Sequence, residues 1–81
     1  MGYYDLTETF TAVRDCRLDD IDYKAGDQIT VRFSDFNRKD NLKESKRGEW
    51  QSRYYANYSG KMLARYAIKI ERIAANDAKT A

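Results

Sequence analysis

From Gln28 to Ser34 the chain alternates without a break: Ile29, Val31 and Phe33 fall on one side of an extended segment, Thr30, Arg32 and Ser34 on the other. Successive strand side chains point to opposite faces, so this period of two predicts a half-buried strand. Gly26-Asp27 stands directly before it in "YKAGDQITV" and predicts the turn that feeds the strand, because glycine accepts a positive φ without steric cost. A second, weaker alternation covers Glu8 to Arg14, with Phe10 and Ala12 set against Thr9, Thr11 and Val13. A third places Trp50, Ser52, Tyr54, Ala56 and Tyr58 on one face and Gln51, Arg53, Tyr55 and Asn57 on the other. Asn57 to Lys61, with Ser59-Gly60 at its bend, then reads as a hairpin turn.

Two stretches break the pattern. Ser34 to Gly48 carries many charges and only Phe36 and Leu42 as large apolar residues, which predicts a long loop with room for a helical turn near Asn41 to Lys46. In Met62 to Ile73 both periods are present. Met62, Ala64, Tyr66, Ile68 and Ile70 alternate as in a strand, whereas Leu63, Tyr66, Ala67, Ile70, Ile73 and Ala74 form a helical stripe. Residues 1–74 read as one domain and 75–81 as a flexible, small and polar tail. The predicted class is mainly β, a small barrel; a helix at 62–73 would make it α+β, an antiparallel sheet with one C-terminal helix.

At 81 residues the chain is near the lower limit for a self-sufficient core, which disfavours a deep enzyme cleft. There is no histidine and a single cysteine, Cys16, so neither an internal disulfide, a thiolate-imidazole pair nor a His/Cys zinc site is available. Cys16 is expected as a small buried residue. "DDID", Asp19 to Asp22, lacks the spacing and glycine of a calcium loop and reads as an exposed acidic loop. The expectation is a non-catalytic protein without metal or cofactor. No signal-like or membrane-spanning run is present, so a cytoplasmic protein without a membrane partner is expected.

Several segments resemble, in order, the Src-homology-3 domain. "AVRDC", Ala12 to Cys16, resembles its ALYDY opening, and "IDYKAGDQITV", Ile21 to Val31, its Gly-Asp-containing segment. Trp50 is similar to one of its tryptophans, and "GKMLARYAIKI", Gly60 to Ile70, to its closing Gly-Tyr-Ile-Pro-Ser-Asn-Tyr-Val. The resemblance implies a small β-barrel in which Asp19, Asp20 and Asp22 occupy the acidic loop that meets a basic residue of the ligand. Arg14 and Cys16 replace the two ALYDY tyrosines and Leu63 the family's proline, so Trp50 and Tyr66 alone remain of the aromatic peptide groove.

The net charge is only +2, but it is unevenly placed: acids crowd the first third and bases dominate from Arg32 onward. Two partner classes follow. The first is protein, as for a small phage or bacterial regulator or inhibitor, docking through Trp50, Arg53, Tyr55, Tyr58, Arg65 and Tyr66, with Asp19, Asp20 and Asp22 as a separate acidic contact. These aromatic and arginine types dominate binding hot spots. Core packing is the competing reading for Trp50, Tyr54 and Tyr66, and Tyr55 is the better surface candidate. The second is nucleic acid, with Arg38, Lys39, Lys43, Lys46, Arg47, Arg53, Lys61 and Arg65 meeting phosphates. The oligomeric state is not legible.

Overall fold

The structure, a computed structural model, describes residues 5–34, 42–52 and 55–73. It is mainly β, with one short helix. The order is β1 (Leu6–Ala12), β2 (Cys16–Leu18), β3 (Ile21–Tyr23), β4 (Gln28–Phe33), β5 (Trp50–Ser52), β6 (Asn57–Tyr58), α1 (Gly60–Tyr66) and β7 (Ala67–Ile73). Five strands form one antiparallel sheet in the order β6-β5-β1-β4-β7, and β2 and β3 form a separate ribbon. Among the described residues these ladders leave β6 and β7 as two edges and do not close into a barrel.

The alternation of β4 sets the core. Ile29, Val31 and Phe33 are buried, and β4 pairs β1 with Phe10 opposite Ile29. Phe10 meets Phe33 and Tyr58 edge to face at 6.4 and 5.7 Å, a favoured aromatic geometry. The turn before β4 forms as the sequence predicts: Gly26 has φ +97, Asp27 N donates to Lys24 O, and Gly26 N donates to Ala12 O. The β2–β3 ribbon turns through Asp19 and Asp20 at φ 54 and 67. Two consecutive left-handed residues are what a tight hairpin requires, and aspartate tolerates that region better than most side chains.

Three sequence expectations are corrected. The chain from Trp50 to Tyr58 is not one extended run: it reverses after Ser52, where Tyr55 N donates to Ser52 O and Ser52 N donates to Ala56 O. Ser59-Gly60 is therefore not the hairpin bend. Ser59 caps α1, its hydroxyl accepting from Lys61 N at 3.1 Å, and Gly60 opens the helix where a Cβ would come within 3.2 Å of Trp50 Nε1. Of the helical turn expected near Asn41 to Lys46, Asn41 lies outside the described residues, and the described residues 42–46 are not helical: Glu44 bridges to Tyr58 and Ser45 N donates to Asn57 O.

The doubly periodic segment adopts both structures in succession. Leu63, fully buried, anchors α1, with Met62 and Tyr66 packed against the same core. At Ala67 the chain passes directly into β7, which pairs β4 with Ile70 opposite Val31. The predicted tail at 75–81 and Phe36 of the loop lie outside the described residues.

Candidate functional site

Two surface concavities collect candidate side chains. The larger, about 590 Å³, lies between the ribbon and β7 and includes Asp15, Cys16, Arg17, Asp22, Tyr23 and Arg72 in its lining. Its charged side chains other than Lys24 are already engaged. Arg17 pairs Asp22 at 3.3 Å, and Arg72 pairs Asp27 at 3.0 Å while its guanidinium lies 5.0 Å above the Tyr23 ring. Asp15 Oδ1 accepts from Ala25 N and Asp27 Oδ2 from Lys24 N, both at 2.9 Å. A ligand that used the paired groups would have to displace these contacts.

The chemistry of this groove is muted by burial. Burial pushes the Cys16 thiol up, helped by the nearby Glu49 carboxylate, and Arg14 only partly opposes it. A thiol so placed stays protonated near neutral pH, the opposite of an activated nucleophile. Burial likewise raises the Tyr23 hydroxyl, against the pull of Arg72. Cys16 is only partly buried rather than enclosed, packing at the edge of the core. Among the described residues no cluster of three or more His, Cys, Asp or Glu side chains is placed to hold a metal ion. No helix there is long and apolar enough to cross a membrane.

The second concavity, about 330 Å³, is built by the β5–β6 turn and the segment running alongside it, and is lined by Glu44, Ser45, Lys46, Tyr55, Ala56 and Asn57. Arg14 positions that segment by donating to Arg47 O and Gly48 O, each at 3.2 Å, and Gly48 N closes a turn onto Ser45 O. Gly48 packs so tightly on β6 that a Cβ would lie 2.5 Å from the Tyr58 carbonyl carbon, so only glycine lets the segment lie there. Tyr55 stands at the turn with φ +67 and is 84% exposed. Asn57 Oδ1, beside it, is a buried acceptor without a hydrogen-bond partner. The exposed ring and the Lys46 ammonium offer a ligand two different contacts, an aromatic face and a positive charge.

The remaining sequence candidates disperse. Trp50 and Tyr58 are core residues, at 0% and 7% exposure, and so present no docking face. An inward residue on either side of a tight hairpin mimics one continuous stripe. Tyr66 is half-buried on α1 with Arg65 5.6 Å above its ring, and Lys61 is exposed on the same helix. Asp19 and Asp20 form the ribbon turn, and Asp22 is held by Arg17. Lys43, Lys46 and Arg47 are exposed along the segment beside β6. Arg38, Lys39 and Arg53 lie outside the described residues. Sequence reasoning did not single out Arg72 with Asp27 and Tyr23, since the β4–β7 pairing that joins them spans some 45 positions. No protein-family model, curated protein or solved structure matches this chain.

Proposed function

We propose that this is a non-catalytic protein-interaction module, a small regulator or inhibitor that docks a larger protein through the Tyr55 groove. One observation carries the reading: a tyrosine ring left 84% exposed on a left-handed backbone, where glycine or asparagine would fit with less strain. A large side chain is not needed to make such a turn. Its use lies outside the chain, and tyrosine is among the residues that dominate binding hot spots. Lys46 lines the same groove and supplies a positive charge.

A photo-crosslinking residue at position 55, with a control at Thr30 on the outer face of the sheet, tests this in an extract of the producing cells. The reading expects a discrete protein adduct from position 55 and none from position 30. Adducts that vanish on nuclease treatment would favour the nucleic-acid partner instead, and identical adducts from both positions would overturn the groove as a specific site.

A further inference from the structure

β7 is an end strand, hydrogen-bonded to β4 and to no other strand among the described residues. It is seven residues long, more than the usual strand, and an edge of that length offers its free N–H and C=O groups to another strand. The sequence of β7 itself says which strand fits. In register with β4, Ile70 and Arg72 lie opposite the inward-facing Val31 and Ile29, whereas Lys69 and Glu71 lie opposite Arg32 and Thr30 on the outer face.

Consider a second copy pairing antiparallel about a two-fold axis perpendicular to the sheet. Inner-face residues must then oppose inner-face residues, so the axis passes through a residue position and not between two. Centred on Lys69 or on Glu71, the pairing sets a charge directly against its own copy, which is unfavourable. Centred on Ile70, it sets Lys69 against Glu71 of the second copy and Glu71 against its Lys69. This register also brings the two Ile70 side chains together and uses all seven residues. Within one chain Lys69 Nζ and Glu71 Oε2 are 3.3 Å apart and more than half exposed, so pairing would join two such ion pairs into one cluster of alternating sign. Ile68, 49% exposed, is the residue passed over where the β4–β7 register shifts, and it adds apolar surface to this edge.

We infer that β7 is a homodimerisation edge: two copies pair antiparallel about Ile70 and join their sheets into one of ten strands. Charge complementarity selects this register, and the edge remains distinct from the Tyr55 groove beside β6.

Sedimentation equilibrium of the full chain tests it at concentrations up to about 1 mM, because one strand edge buries less than a standard interface. The expected mass rises with concentration from 9.5 kDa toward twice that value. Glu71→Lys and Lys69→Glu should each stay monomeric, since each opposes like charges across the axis, and mixing the two variants should restore association. A wild-type chain that stays monomeric would overturn the inference, as would single variants that associate as well as wild type or a mixture that does not. Hydrogen exchange of the unaltered chain adds a readout free of substitutions. The β7 amides should become at least several-fold slower at high concentration while those of β6 do not change; equal exchange at both concentrations would also overturn it.

Discussion

The two edges of the sheet meet the same hazard in different ways. β6 is two residues long and is covered, with Glu44 bridged to Tyr58 and Ser45 N bonded to Asn57 O. β7 is seven residues long and, among the described residues, uncovered; it carries Lys69, Glu71 and Arg72 instead. Covering an edge consumes its hydrogen-bonding groups and ties it to the core. Charging an edge only restricts which strands can approach, and leaves its hydrogen-bonding groups available to one whose charges match. The covered edge should therefore fail by loss of stability, the charged edge by change of partner.

The largest effect should come from the anchor of the covered edge. Trp50, fully buried and 5.0 Å from the Tyr23 ring, joins β5 and β6 to the core, so Trp50→Ala should cost about 3 to 5 kcal/mol in a urea titration. A cost below about 1 kcal/mol would mean that this edge does not depend on the core. Next comes Gly48→Ala, whose new methyl would collide with the Tyr58 backbone; about 1 to 3 kcal/mol is expected. A neutral result would show that the cover over β6 yields easily, and the contrast between the edges would weaken.

Tyr55→Gly should go the other way, raising stability by about 1 kcal/mol or less, because the left-handed backbone is then unstrained. If stability fell instead, the ring would be part of the fold and not of a binding surface. The smallest effect belongs to the β7 side, where Arg72 covers Tyr23. The folded state holds Cys16 and Tyr23 protonated beyond their ordinary values of 9.0 and 10.0. Their contribution is therefore complete below about pH 9 and is lost as pH rises through the elevated folded-state values. Alkaline melting curves should show a decline that Cys16→Ala reduces at its onset and Tyr23→Phe at its upper end. A decline unchanged in both variants would assign it to other groups.

Much of the central fold is legible in the sequence, because it depends on local pattern. Ile29, Val31 and Phe33 announce β4, Phe10 and Ala12 announce β1, and Gly26-Asp27 announces the turn between ribbon and strand. The periphery is less so. Nothing at Tyr55 signals a positive φ, and Ser59-Gly60 carries turn chemistry that serves instead as a helix cap. Tyr66 and Ile70 fit both periods at once, so pattern alone could not divide 62–73 into a helix and a strand. Tyr55 is exposed as the alternation suggests, but it owes this to its place at a turn and not to the face of a strand. Asn57 and its unpaired acceptor join that site only through the fold, since an asparagine in an extended run gives no sign of it.

The junction at Ala67 has a mechanical consequence. This residue is both the C-cap of α1 and the first residue of β7, so helix and strand are connected in series without slack. A pull on the C-terminal end of the described chain must load the β4–β7 ladder before it reaches the helix. Once β7 detaches, nothing between them absorbs the extension, and the force passes at once to Leu63 in the core. The outermost strand is thus a tether on the innermost residue of the helix, and its release would be felt at the centre of the molecule.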